Sequence, residues 1–235
     1  MSLPRIDVPT FSLKIPSTGE KVEFRPYLVK EEKVLLLALE SNDPDEMIRA
    51  ISNVITSCTN GKLNKNNLTV FDLEYFFLHL RAKSVGEISN VGIKCKSCKT
   101  SNRVSFDLTK CQIDEDLSKI KKPTKVNDKL AIKLRYPSYE KTYEAMSKGS
   151  AVRADESYIA ASIETIFYED EVFHANEQTE EELIAFIEHL PRKDFEKIER
   201  FFQTYPSTFI DVDFTCHKCK EENFIRLKGL SNFFV

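Results

Sequence analysis

Cys95-Lys96-Ser97-Cys98 and Cys216-His217-Lys218-Cys219 are the two stretches on which the reading of this chain turns. Each is flanked by alternating apolar and polar residues. Asn90-Val91-Gly92-Ile93-Lys94 precedes the first pair and Val104-Ser105-Phe106-Asp107-Leu108 follows it. Phe209-Ile210-Asp211-Val212-Asp213-Phe214 precedes the second and Phe224-Ile225-Arg226-Leu227 follows it. Period-two alternation on both sides of a turn predicts a hairpin, so the chain carries two copies of one unit.

The spacing has a chemical reason. Two cysteines two residues apart can hold both sulfurs on one side of a tight turn, about 3.5–4 Å apart, which is the edge of a zinc–thiolate tetrahedron. Two facing knuckles complete a four-cysteine site. Cys95, Cys98, Cys216 and Cys219 are therefore the expected ligands of one structural zinc per chain. Free thiols and two local disulfides are the alternatives that spacing leaves open. A redox centre fits least, because neither pair opens a helix after a strand, the setting that depresses a thiol pKa. His217 reads as a polar turn residue, since four sulfurs already fill the tetrahedron.

The knuckles are separated by 117 residues, 99–215, far more than the roughly 15–20 of an ordinary zinc ribbon. Either a domain is inserted into the ribbon or the metal ties the chain end back to its middle. In both cases the ion closes a long loop and its binding energy becomes folding energy.

Composition narrows the class. The chain has 235 residues, 41% of them hydrophobic, enough for one large or two small domains with an ordinary core. The 34 basic and 37 acidic residues nearly balance, so the net charge of −3 gives no global reason to expect nucleic-acid binding. No apolar run approaches the roughly 18 residues of a membrane span, and Met-Ser-Leu-Pro-Arg-Ile-Asp at the start lacks the pattern of a signal peptide. Six cysteines, four in zinc spacing, suit a reducing cytosol. Cys58 falls on a helical pattern and is expected to be buried, Cys111 half exposed.

The expected fold is α+β: a mainly helical body, an N-terminal β-hairpin, and the two knuckle hairpins joined as a zinc-ribbon-like unit. Residues 1–28 form an arm and hairpin, with Phe11-Ser12-Leu13-Lys14-Ile15 and Lys21-Val22-Glu23-Phe24-Arg25 as strands around a turn at Gly19. Residues 29–88 form a helical core. Its first helix, Val29 to Ser41, carries Val34, Leu35, Leu37, Ala38 and Leu39 and is predicted to be buried over much of its circumference. A second helix runs to about Cys58 and a third from Val70 to about Ser84. Residues 89–111 hold the first knuckle and 112–208 a mostly helical insertion. Within it, 112–128 read as an irregular solvated connection and 130–136 as a strand. A helix is expected over 155–168, and a capping box at Thr179 and Glu182 starts another. Residues 209–235 hold the second knuckle and an apolar tail. An exposed Phe233-Phe234-Val235 end costs solubility, so it folds onto its own core or contacts a partner.

Nothing in the sequence assembles a catalytic site. There is no glycine-rich phosphate loop, G-x-S-x-G or H-E-x-x-H, and only six glycines in all. His79 and His189 fall near the ends of apolar helices, where a positive imidazole favours the helix C-terminus. A zinc held by four cysteines has no open position at which to activate water.

The order of parts resembles a known family. Leu3-Pro4-Arg5-Ile6-Asp7-Val8-Pro9 leads to the Pro16-Ser17-Thr18-Gly19-Glu20 turn and to Phe24-Arg25-Pro26-Tyr27-Leu28-Val29-Lys30. Then come Phe71-Asp72-Leu73-Glu74-Tyr75, Leu80-Arg81-Ala82-Lys83-Ser84-Val85-Gly86-Glu87, the two knuckles and the Phe-Phe end. Together these resemble the baseplate hub assembly proteins of T-even-like contractile-tailed bacteriophages, most strongly over residues 4–108. The resemblance implies a non-enzymatic, chaperone-like assembly factor or hub component. Its partners would be other hub or tail proteins, with no small-molecule substrate. Its place would be the host cytoplasm during assembly, or the virion. Phe233, Phe234 and Val235 are the candidate partner contacts. The competing reading is a zinc-ribbon module that binds nucleic acid, supported by Lys94, Lys96, Lys99, Lys218 and Lys220 around the knuckles. Glu221 and Glu222 in the same turn count against it. The lysines also have a simpler use, because zinc with four thiolates carries a net charge of about −2.

Overall fold

The computed structural model describes residues 7–41, 43–63, 68–114, 117–147, 156–203 and 205–229. In chain order the elements are β1 (Phe11–Lys14), β2 (Lys21–Phe24), α1 (Val29–Glu40), α2 (Pro44–Cys58), α3 (Val70–Ser84), β3 (Ile88–Lys94), β4 (Ser101–Asp107), β5 (Gln112–Ile113), β6 (Thr124–Lys125), β7 (Leu130–Leu134), α4 (Tyr139–Ser147), α5 (Glu156–Ser162), β8 (Ile163–Tyr168), β9 (Glu171–His174), α6 (Glu180–Glu188), α7 (Arg192–Phe201), β10 (Thr208–Thr215) and β11 (Glu222–Lys228). The chain is α+β. Two units divide it: Met1–Lys65, Phe71–Asp114 and Ser207–Val235 form the first, Asn66–Val70 and Glu115–Pro206 the second. Among the described residues no helix is long and apolar enough to cross a membrane.

The first unit begins with the hairpin. Strands β1 and β2 pair antiparallel with Phe11 opposite Phe24. Gly19 turns the chain at φ 75°, a conformation that glycine adopts without a Cβ penalty. The turn is tied to α3. The Ser17 N–H and hydroxyl donate to the two carboxylate oxygens of Asp72 at 2.9 and 2.6 Å, and Asp72 is fully buried. Behind the hairpin, Phe24 meets Phe76 edge-on at 5.2 Å. Ile51, Val54 and Ile55 of α2 and Phe71, Leu73, Phe77 and Leu80 of α3 complete this core.

The apolar content of α1 predicts burial around most of the helix, and the structure corrects this. Only Glu31, Leu35 and Ala38 are buried, a stripe one residue wide at helical spacing. Leu37 is 67% exposed, and Val34, Leu36 and Leu39 also face outward. The inward stripe is fixed by a polar residue. Glu31 accepts from the Leu28 N–H at 2.8 Å and from the Arg25 guanidinium at 2.9 Å, which sets the rotation of the helix. His79 departs from expectation too. Its Nδ1 donates to the Tyr75 carbonyl at 3.0 Å, and burial pushes its pKa down, which works against the positive imidazole that the helix end would favour. His189 is the C-cap of α6 and donates to the Ala185 carbonyl at 2.6 Å.

Strands β11, β10 and β5 form a three-stranded sheet in that order. Here the chain leaves and re-enters the first unit side by side. The Asp114 N–H donates to the Ser207 carbonyl at 3.1 Å, while the Asp114 carboxylate accepts from the Ser207 N–H at 2.9 Å and its hydroxyl at 3.0 Å. Lys228 also donates to Asp114.

The second unit holds a four-stranded antiparallel sheet, β6-β7-β8-β9, besides helices α4 to α7. The sequence predicts a mostly helical insertion, with one helix over 155–168. Instead α5 stops at Ser162 and the chain runs directly into β8. Ile163, Thr165, Ile166 and Phe167 are β-branched or aromatic, which favours extended backbone. Their spacing fits a helix face as well as a strand, and pairing with β7 and β9 on the two sides decides for the strand. Residues 112–128, read as irregular, contribute β5, β6 and a 3-10 turn at Leu117–Lys121. The capping box forms as predicted, with the Thr179 N–H donating to Glu182 at 2.8 Å and the Glu182 N–H to the Thr179 hydroxyl at 3.2 Å.

Candidate metal centre

Hairpin β3–β4 runs in uninterrupted register from Ile88–Asp107 to Lys94–Ser101, and β10–β11 from Phe209–Lys228 to Thr215–Glu222. Each ends in a knuckle built the same way. In the first, the Cys95 N–H donates to Thr100 O at 2.9 Å and the Lys99 N–H to Cys95 O at 3.0 Å. In the second, the Cys216 N–H donates to Glu221 O at 2.9 Å and the Lys220 N–H to Cys216 O at 3.0 Å. Lys99 and Lys220 both sit in the left-handed region, at φ 60° and 61°. The two knuckles are thus backbone duplicates.

The fold brings all four predicted cysteines together. Their sulfurs lie within 4.8 Å of one another. Across the pair, Cys95 and Cys219 approach to 3.7 Å and Cys98 and Cys216 to 3.6 Å. A tetrahedron with Zn–S bonds of about 2.3 Å has edges of about 3.8 Å, so the donor set fits a tetrahedral soft-metal ion. None of the six cysteines is in a disulfide in this structure. Cys95 and Cys216 are fully buried at the base of the cluster, and Cys219 is exposed.

Two residues that the sequence reading did not single out lock the knuckles to each other. Asn223 of β11 accepts from the Lys96 N–H at 2.9 Å, and its amide donates to Glu221 O at 2.9 Å and to the Cys95 sulfur at 3.5 Å. Asn102 of β4 accepts from the His217 N–H and from its Nδ1, both at 2.9 Å. Each asparagine stands four residues after the second cysteine of its own knuckle and caps the residue after the first cysteine of the other. Both side chains are buried. The signal was present as a repeated C-x-x-C-x3-N in 95–102 and 216–223. His217 takes the turn role predicted for it, exposed and held by Asn102.

Charge in the cluster follows from these contacts. Backbone N–H groups, first those of Cys98 and Cys219 respectively, pull the Cys95 and Cys216 thiols below the ordinary value. The Thr100 hydroxyl does the same for Cys98. At Cys219 the Glu221 backbone favours the thiolate, yet its three sulfur neighbours outweigh it and push the thiol up to about 12. Four thiolates so close would repel one another, and a divalent cation would offset that repulsion. Lys94, Lys96, Lys99, Lys218 and Lys220 are exposed around the cluster.

The other cysteines differ in kind. Burial pushes Cys58 up to about 11 and Cys111 to about 12, so both are inert thiols. Cys111 is 5% exposed, against the half exposure expected of it. Phe233, Phe234 and Val235 lie outside the described residues.

The chain belongs to the family of the T4 bacteriophage base plate protein, whose family model matches residues 8–235. Among curated proteins it is similar to the baseplate hub assembly protein gp26 of Enterobacteria phage T4, with 27% identity over 222 residues, covering 92% of this chain and 94% of that protein. No solved structure matches it.

Proposed function

We propose that this chain is a chaperone-like assembly protein of a phage tail baseplate hub, acting by protein–protein contact and not by catalysis. The observation that carries this reading is the family match over residues 8–235, together with the hub assembly protein to which the chain is similar along most of both lengths. Its partners are other hub or tail proteins. It works in the host cytoplasm during assembly or within the virion. Phe233, Phe234 and Val235 are proposed partner contacts.

The body that presents these contacts is proposed to be tied by one structural zinc on Cys95, Cys98, Cys216 and Cys219, making the two hairpins a zinc-ribbon-like unit. The metal supplies a cross-link and cancels thiolate charge, with no open coordination position. Four sulfurs at tetrahedral spacing and the reciprocal asparagines support this. The lysines around the cluster then act as counter-charges rather than as a nucleic-acid surface.

The test is a chain lacking residues 233–235, supplied to phage defective in the full-length protein. The account expects normal folding and metal content with baseplate hubs lost. Normal hub assembly would remove the tail from the proposal. Salt-dependent DNA binding by the intact protein would instead favour the nucleic-acid reading.

A further inference from the structure

We propose that strand β9, with the apolar groove beside it, is a docking site for a basic extended peptide segment of a partner protein, bound by strand addition. This goes beyond the metal centre and uses none of its residues.

The first observation is an open sheet edge. In the order β6-β7-β8-β9 the last strand pairs only with β8 among the described residues. Alternate residues of an antiparallel edge strand direct N–H and C=O away from the sheet, ready to pair with another chain. All four residues of β9 are exposed, Val172 by 52% and Phe173 by 39%. The second observation is a groove of about 330 Å³ against the same strand, lined by Ile166, Tyr168, Phe173, Leu183 and Phe186, with Glu182 at its rim. Ile166 is the cross-strand partner of Phe173. An added strand would therefore place one side chain of every two toward the groove. Strand addition takes affinity from the main chain and specificity from such pockets.

Charge selects the occupant. Residues 154–191 contain eleven acidic residues and no Lys or Arg. Glu164, Glu169 and Glu180 meet Lys133, Lys129 and Lys141. Glu171 lies on β9 itself and is exposed. A second copy docking through β9 would bring two such acidic surfaces together, and like-charge juxtaposition disfavours that partner. A basic segment meets complementary charge on the same edge. Acidic edge residues also guard a strand against aggregation, but guarding gives no reason for the apolar groove alongside.

The test uses the full chain and a synthetic probe, acetyl-Thr-Lys-Thr-Phe-Thr-Lys-Thr-amide, whose Phe and Lys share one face of a strand. Binding is read by calorimetry and by amide exchange of residues 171–174. The proposal expects saturable binding with new protection at those amides. Affinity should fall at least tenfold when both Lys of the probe become Glu, when its Phe becomes Gly, and in the protein variant Glu171→Lys. That substitution is on an exposed side chain, and an unchanged melting temperature would show that the fold is intact. The same variant should bind the Glu probe better than wild type does. Equal affinity for the Lys and Glu probes, or no binding of either, would overturn the proposal. So would protection of 171–174 that rises with protein concentration in the absence of probe, since a second copy would then be the occupant.

Discussion

Replacing Asn223 by alanine removes three contacts at once: the acceptor for Lys96 N–H, the donor to Glu221 O, and the donor to the Cys95 sulfur. Asn223 is 5% exposed, so water does not readily replace it. Net worth is about 1 kcal/mol for each good hydrogen bond and less for the N–H to sulfur contact, giving about 2–3 kcal/mol. At about 1.36 kcal/mol per decade that is roughly 30- to 150-fold in metal affinity, near the about 10- to 100-fold typical of groups that hold metal ligands in place. Asn102→Ala loses the two bonds from His217 and the bond its amide donates to Thr100 O at 2.8 Å, but no contact to sulfur. With no bond to a ligand sulfur to lose, the expected loss in metal affinity is smaller, about 10- to 30-fold. Asn223→Asp keeps the Lys96 contact but turns a carboxylate onto a thiolate, and should be worse than alanine. Competition with a chromophoric chelator measures all three. Affinities within threefold of wild type for both alanine variants would refute the reasoning, as would a larger loss from Asn102→Ala than from Asn223→Ala.

Leu37→Glu on the outer face of α1 should change stability by no more than about 0.5 kcal/mol, whereas Leu35→Ala on its buried stripe should cost about 2–5 kcal/mol; urea melts of both check the assignment of faces. Glu31 is held below its usual pKa: burial works against its charge, but hydrogen bonds from Arg25 and the Leu28 N–H prevail. A depressed carboxylate contributes stability above its unfolded pKa and loses it as pH falls through the folded one. Glu31→Gln should therefore destabilise at neutral pH, with the gap to wild type closing in acid below the ordinary carboxylate range. Gly19→Ala places a side chain at φ 75° and should lower stability by about 1 kcal/mol in a thermal melt.

The four-cysteine cluster was legible because cysteine spacing is a local signal and both hairpins alternate cleanly around it. Asn102 and Asn223 were not, since a buried asparagine looks like any polar turn residue until its cross-chain partner is known. The end of α5 was hidden because Ile163, Ile166 and Phe167 satisfy helix and strand periods alike, and pairing with β7 made the choice. For α1, leucines at 35, 36, 37 and 39 say that the helix is apolar but not which side meets the core. That was settled by Arg25 and Glu31, six residues apart across the turn into the helix. Strands β5 and β6, two residues each, are too short to show any period.

The most direct test of the account is metal content and thiol reactivity of protein purified without added metal, before and after chelation. The account predicts one zinc per chain, no rapidly reacting thiol until the metal is withdrawn, and loss of folded signal afterwards as the 117-residue loop opens. Protein free of metal, with the knuckle thiols reactive and the fold intact, would contradict it.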